Sequence, residues 1–437
     1  MTNCSQQSII FPACKRRVVE ASFQGGDITS DGGVLLLREA DQYLGLSESV
    51  ARVLDDPRRR ASCAHDSLSL LQQRVYGLAL GYEDLNDHES LRRDLAIQTA
   101  LDRAEVLASS STLCRWENRA DREAAWRIHE VIVEQFIGSN KRPPKKLILD
   151  FDATDDAVHG KQEGRFFHGY YDHYCFLPLY VFCKDQLLVS YLRPSKIDGA
   201  RHAWAILALL VRRLRQVWPK VKIIFRGDSG FCRWRMLSWC ERHAVGYIVG
   251  IAKNNRLNAL TAQLQRDAQD CYAALGDKVR WLAEIQYAAG SWDRKRRVIA
   301  KIEHTDKGSN PRYVVTNLEG KPQTLYDRLY CARGDMENRI KEQQLDLFAD
   351  RTSCHRWWPN QFRLLLSSLA YILLETLRRI ALKGTELANA YVGTLRLKLL
   401  KIGAVILRNT RRIRFLLSST CPNQQLFFHV AVKLAPG

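Results

Sequence analysis

Four acids stand out among 437 residues because of where they sit relative to apolar runs. Asp150 and Asp152 flank Phe151 at the end of Leu147-Ile148-Leu149, Asp228 lies in Phe225-Arg226-Gly227-Asp228-Ser229-Gly230, and Glu337 lies between Tyr330 and Lys341. Alternate residues of a strand share a face, so Asp150 and Asp152 point together while Leu149 and Phe151 point into the opposite layer. Acids on a strand built for burial are costly unless they bind a cation or a proton. Asp152 is the preferred metal ligand of the two, and a local structural role is open to the other. Asp228 follows a short buried strand, at the end where sites in α/β sheets lie; capping the turn at Gly230 is its alternative role. At 100° per residue, Tyr330, Arg333, Glu337, Lys341 and Gln344 fall within an arc of about 80°, an acid set among cations. A salt-bridged solvent face is the other reading of that stripe.

The elements that must position these residues follow from pattern. Residues 1–140 read as mainly helical after a short strand at Arg17–Phe23, with Gly25-Gly26 and Gly32-Gly33 as turn glycines whose spacing matches no phosphate loop. A helix runs from Val34 to Leu46 and another spans Ser67–Ala79. Ser109 to Thr112 cap a helix that shows Arg115 and Trp116 early, and that helix is a candidate for DNA recognition. Pro143-Pro144 between basic pairs ends this region. From 145 to 255 the period changes. Strands are expected at Leu147–Asp152, twice within Phe166–Leu192, at Val221–Phe225 and at Val245–Ile251, with helices at Trp204–Val217 and Trp234–His243. This is an α/β core with a mixed sheet. Residues 256–324 read as a β-rich insertion, 325–365 as the helix carrying Glu337 followed by loops around Trp357-Trp358-Pro359, and 366–437 as a basic helical C-terminal region.

The charge is +19, from 66 Lys and Arg against 47 Asp and Glu, and it calls for a polyanionic partner. From Arg351 onward the chain carries fourteen Lys/Arg and the acids Glu375 and Glu386. The most apolar stretch, Leu364–Leu382, is interrupted by Glu375, Arg378 and Arg379 and falls short of the roughly 20 apolar residues that span a bilayer. Polar Asn3, Ser5, Gln6 and Gln7 stand where a signal peptide needs its apolar run, so no membrane and no secretion are expected. Twelve cysteines without a C-x-x-C favour reduced, packed thiols over disulfides or structural zinc. His168, Asp172, His173 and Cys175 suggest zinc less than strand packing, since two histidines five apart on one strand face opposite sides.

Together these motifs resemble the DDE transposases of bacterial insertion sequences. Asp152-Ala153-Thr154 is similar to their first acidic motif, Asp228 in Arg-Gly-Asp-Ser-Gly to the second, and Tyr330-x2-Arg333-x3-Glu337 to the third. The β-rich insertion before Glu337 resembles one branch of the family, the transposase DDE domain group 1. So do Gly26–Gly33, Gly81–His88 and Asn338-Arg339-Ile340-Lys341-Glu342, so the likeness runs nearly the length of the chain. The third motif usually has a lysine seven residues after the glutamate. Gln344 stands there in this chain, and Lys341 lies one turn earlier on the same stripe.

The resemblance implies an RNase H-like core and a polynucleotidyl transferase. Its catalytic and metal-binding residues would be Asp152, Asp228 and Glu337, holding two Mg²⁺ or Mn²⁺ ions. Such ions, about 4 Å apart, activate an attacking water or 3′-hydroxyl and stabilise the leaving oxygen, and hard carboxylate oxygens suit them. Tyr330, Arg333, Arg339, Lys341, Arg411, Arg412 and Arg414 would contact DNA. The implied substrates are double-stranded terminal inverted repeats and target DNA, bound by a dimer or higher oligomer in the bacterial cytoplasm, associated with the nucleoid. A metal-dependent nuclease or resolvase on the same fold, or a non-catalytic DNA-binding repressor, are the competing functions.

Overall fold

The computed structural model describes residues 8–59 and 63–435. Asn3, Ser5, Gln6 and Gln7, which carry the reading against a leader, lie outside them. Two compact units are formed, one from Met1–Arg119 and Leu369–Gly437, the other from Ala120–Ser368. Among the described residues no helix is long and apolar enough to cross a membrane.

The second unit is built on one large sheet. Its strands are β1 (Lys146–Ala153), β2 (Leu179–Cys183), β3 (Gln186–Tyr191), β4 (Lys222–Gly227), β5 (Gly246–Ile251), β6 (Val279–Tyr287), β7 (Arg296–Thr305) and β8 (Arg312–Thr316). They lie in the order β3-β2-β1-β4-β5-β8-β7-β6, with Gly308–Ser309 paired to the end of β7. β1, β4 and β5 run parallel and the other pairings are antiparallel. The expectation of an α/β core with a mixed sheet is met.

Alternation along the central strands decides what each face carries. Leu147, Leu149 and Phe151 of β1, Ile223 and Phe225 of β4, and Tyr247 and Val249 of β5 share a core with buried residues of the helices Ala203–Val217 and Trp234–Arg242. Phe151 and Phe225 meet edge to face with centroids 5.1 Å apart, a favoured aromatic geometry. The out-of-phase residues turn to the other face, where Ile224, Ile248, Ile299 and Val314 pack with Leu325 and Tyr326. Asp150 and Arg226 stand on that second face as direct partners in the β1–β4 register. Both are buried, and the Arg226 guanidinium grips Asp150 with two donors, one of them 2.6 Å from Oδ2. It also donates to the carbonyls of Leu329 and Ala332.

Several expectations need correction. The stretch Phe166–Leu192 holds four strands instead of two: Phe166–His168 and His173–Phe176 form a small sheet with Asp156–Ala157, and β2 and β3 join the large one. His168 and His173 are therefore cross-strand partners and not residues of one strand. The segment 256–324 opens with helices, Asn255–Leu260 and Ala262–Leu275, and its strands extend the central sheet beyond β5. Trp357-Trp358-Pro359 begins the helix Trp357–Thr376; proline is tolerated in a first turn because no intrahelical acceptor awaits its missing N–H.

In the first unit the helix from Val34 stops at Leu44, where Gly45 adopts φ 61°. Arg17–Ser22 pairs with Ser8–Cys14 as an exposed hairpin. The Gly32 and Gly33 N–H groups bond to the carbonyls of Ile402 and Leu400, and a Cβ on Gly33 would lie 2.0 Å from the Leu399 carbonyl oxygen. Close backbone approach therefore requires the glycine. Trp116 is buried, not exposed, and its neighbour Glu117 is buried against Arg74 at 2.7 Å, so only Arg115 of the proposed recognition features faces solvent. The C-terminal region is not wholly helical. Ala404–Arg408 and Ile413–Leu417 form a hairpin whose first strand pairs with Ile28–Thr29.

A buried ion pair stripped of one partner leaves a charge that neither water nor protein compensates, at a cost of about 3–5 kcal/mol, whereas replacing both partners by apolar residues is often neutral. Arg226→Met is expected to lose stability of that order in urea unfolding. Asp150→Leu with Arg226→Met should recover a good part of it, short of the two carbonyl bonds. Equal losses in the single and double variants would show that the charge pair is not what Arg226 contributes.

Candidate active site

The two residues that follow the Asp150–Arg226 pair by the same step are Asp152 and Asp228. Asp152 lies on β1 opposite Tyr180 of β2. Asp228 comes one residue after β4 ends at Gly227 and enters a tight turn, Ser229–Phe231. Its Oδ1 accepts the Gly230 N–H at 2.9 Å, so the capping alternative read from the sequence is realised. The carboxylate is not buried by it. Gly250 on β5 lets this turn close: a Cβ there would lie 2.6 Å from the Tyr330 hydroxyl and 2.9 Å from the Ser229 nitrogen.

The third acid comes from the helix Gly334–Lys341, which is preceded by a wide-turn helical segment, Thr324–Tyr330, and a short turn, Cys331–Arg333. Gly334 thus begins the helix, where its low propensity costs little. Arg226 holds this segment to the sheet through the Leu329 and Ala332 carbonyls, and Arg333 follows at once. Its guanidinium reaches Asp152 Oδ2 at 3.2 Å and Glu337 Oε1 at 2.6 Å. Glu337 is exposed and Asp152 largely buried. Among the described residues no three His, Cys, Asp or Glu side chains form a metal-ligating group; in this arrangement Arg333 lies between two of the acids.

Electrostatics mark the same place. Burial pushes the Asp152 carboxyl up to about 7; Arg333 works against that shift, while the charges of Asp228 and Glu337 reinforce it. Burial also disfavours the Arg333 cation, but Asp152 and Glu337 more than offset this and its pKa is raised. Burial, with Asp228 nearby, raises the Tyr330 phenol. Asp152, Asp228, Glu337, Arg333 and Tyr330 therefore act on one another, as the spacing in sequence suggested. A carboxyl poised near neutrality by burial and neighbouring acids marks a functional position.

The remaining residues of the stripe part ways. Lys341 is exposed. Arg339 turns inward, 2.9 Å from the fully buried Glu342 and 3.7 Å from Asp185. Gln344 donates its amide to the Asp155 carbonyl at 2.9 Å and to Asp156 Oδ1 at 3.1 Å. Asp156 was missed in the sequence: it is fully buried, and burial raises its carboxyl far above the usual range. The signal available was a pair of further acids, Asp155 and Asp156, three and four residues after Asp152. Arg411, Arg412 and Arg414 are exposed on the C-terminal hairpin of the first unit.

A family model described as transposase DDE domain group 1 matches residues 11–436. Among solved structures, the chain is similar to the piggyBac transposase in a synaptic complex with hairpin DNA, at 12% identity and a TM-score of 0.43, covering 85% of this chain and 80% of that one. No curated protein matches it. With the family match running over nearly its whole length, the chain belongs to the DDE transposases, in transposase DDE domain group 1.

Proposed function

We propose that this transposase binds the terminal inverted repeats of its element as a dimer or larger assembly, cleaves DNA at the ends and joins the 3′-ends to target DNA, with Asp152, Asp228 and Glu337 as its catalytic acids. One observation carries the reading: two strand-end aspartates and a helix glutamate are drawn around a single guanidinium, Arg333, on one face of a mixed sheet. The donor set suits a hard divalent cation, Mg²⁺ or Mn²⁺, because it is all carboxylate oxygen and because Asp152 is buried among like charges that a cation would relieve. Two such ions would supply activation of the attacking oxygen and stabilisation of the departing one. The chain's own residues do the rest. Asp150 and Arg226 hold β1 and β4 in register so that Asp152 and Asp228 emerge side by side. Arg333 keeps Glu337 near them and lies where a phosphate oxygen can exchange for a carboxylate. Tyr330 and Lys341 line the approach as phosphate contacts.

Nicking and strand transfer on DNA carrying the element's ends, with and without Mg²⁺, test this. Asp152→Ala, Asp228→Ala and Glu337→Ala should each lower both by about 10³-fold or more, since metal catalysis contributes several kcal/mol. Their affinity for the same DNA should stay close to that of the unaltered chain. Nicking without joining would assign a nuclease or resolvase; binding without either would assign a repressor.

Lys341→Ala and Gln344→Ala should separate. The first should weaken DNA-dependent steps without changing the unfolding midpoint. The second removes the amide that bonds Asp156 and should lower the midpoint. A larger loss of joining in Gln344→Ala at unchanged stability would restore the phosphate-contact role to position 344.

The pH dependence has a defined sign. In the unfolded chain Asp152 ionises near its usual value of about 3.9, but in the fold only near 7. Between those values the unfolded state gives up a proton that the fold retains, so metal-free stability falls as pH rises from about 4 to 7. Asp152→Asn should flatten part of that decline. Mg²⁺ binding at pH 6, followed calorimetrically in buffers of different ionisation enthalpy, should release a proton that Asp152→Asn does not. No difference between the two proteins would remove Asp152 from the metal site.

A further inference from the structure

The C-terminal hairpin is the strongest cationic feature that the catalytic site leaves unused. The last acid in the chain is Glu386, and eight Lys or Arg follow it. Several are spent internally within the first unit. Arg396 donates to the Ala79 carbonyl at 2.9 Å, and Lys401 pairs with the buried Asp31 at 2.7 Å. Arg411, Arg412 and Arg414 are exposed and, among the described residues, make no ion pair. Arg408 joins them, its guanidinium 3.3 Å from the Ala104 carbonyl. Four guanidinium groups within seven residues repel one another unless a polyanion lies against them.

The hairpin presents them on a rigid support. At its base Ala404 and Ile406 are buried, Ala404 pairs with Thr29, and the Ile406 N–H bonds to the Asp27 carbonyl at 2.8 Å. At its tip the Asn409 N–H bonds to the Arg412 carbonyl at 3.0 Å, and Asn409 Oδ1 accepts the N–H groups of Arg411 and Arg412. The cations are also distributed in a way that fixes the approach. Leu407 stands opposite Arg414 on one face and Arg408 opposite Ile413 on the other, with Arg411 and Arg412 at the turn. A ribbon lying flat on a surface needs cations on one face only. A ribbon entering a groove tip first meets phosphates on both sides and base edges at its end. The major groove of B-DNA, about 12 Å wide, admits a two-stranded ribbon.

We propose that the hairpin Ala404–Leu417 inserts its tip into the major groove of duplex DNA, with Arg411 and Arg412 reaching deepest and Arg408 and Arg414 on the flanking phosphates. This rests on the reading of the chain as a transposase acting on duplex DNA, and names the element that grips it. Salt titrations of the full chain on duplex DNA test it. Arg408→Ala with Arg414→Ala should reduce the slope of log affinity against log salt by about 1.8, at 0.9 per phosphate contact. Arg408→Lys with Arg414→Lys should restore it, and Lys433→Ala, an exposed cation outside the hairpin, should leave it unchanged. The unaltered chain should protect guanine N7, which faces the major groove, from dimethyl sulfate, and Arg411→Ala with Arg412→Ala should lose that protection. An unchanged slope, an equal effect from Lys433→Ala, no rescue by lysine, or N7 left unprotected by the unaltered chain would each overturn the proposal. If the unaltered chain binds and nicks duplex DNA normally while both alanine variants match it, the hairpin alone fails. If it neither binds nor nicks, the transposase reaction fails as well.

Discussion

The grip of Arg226 on Asp150 is the contact on which the candidate site depends. The two residues are register partners on β1 and β4, both buried. A guanidinium planar enough to hold a carboxylate with two donors still has others to spend. Arg226 spends them on the Leu329 and Ala332 carbonyls, immediately before Arg333 and the helix of Glu337. One side chain thus ties together the three segments that carry acids. Because alternate strand residues share a face, the positions two beyond Asp150 and Arg226 necessarily emerge on the same side at the same end. Those positions are Asp152 and Asp228. The arrangement explains why an acid resides on β1 beside the catalytic candidate without competing for its role: Asp150 is already neutralised.

The central sheet supplies the stiffness this requires. Buried parallel strands read as apolar runs and are covered on both faces, and β1, β4 and β5 follow that pattern apart from the polar pair. The segment 256–324 does not stand apart from this core. Its strands β8 and β7 continue the sheet from β5 and carry Val314 and Ile299 into the layer beneath Leu325 and Tyr326. The insertion therefore helps to seat the segment that leads to Glu337, and so it contributes to the site without supplying a catalytic side chain.

How much of this was legible in the sequence depends on how local each cause is. Strands ending in acids and the polar stripe around Glu337 are written in neighbouring residues, and both were readable; Pro143-Pro144 separates a helix from β1 but lies inside the second unit, Ala120–Ser368. Asp152 was preferred over Asp150 there, but the contact that occupies Asp150 was hidden, because Arg226 lies far along the chain and is adjacent only after β1 and β4 pair. Pairing partners were likewise hidden: His168 and His173 look like residues of one strand until a turn places them opposite each other. The C-terminal hairpin escaped because its arginines and leucines also fit a helical spacing, while its strand identity is decided by pairing with Ile28–Thr29 near the other end of the chain. Trp116 was misread as exposed because the cap at Ser109 fixes where a helix starts and says nothing about which side is covered.

Charge accounting around the site shows why neutralising contacts lie where they do. Asp150 is paired with Arg226, Asp155 lies 2.8 Å from His173, and Asp156, whose carboxyl burial pushes far up, is bonded to the neutral Gln344. A lysine in place of Gln344 would bring a cation to a buried acid and favour its ionisation; the amide donates to Asp156 Oδ1 without adding charge. These contacts also latch the helix of Glu337, seven residues before Gln344, to the loop that leaves Asp152. Asp150 and Asp156 thus have partners of their own. Asp152, Asp228 and Glu337 share the single charge of Arg333.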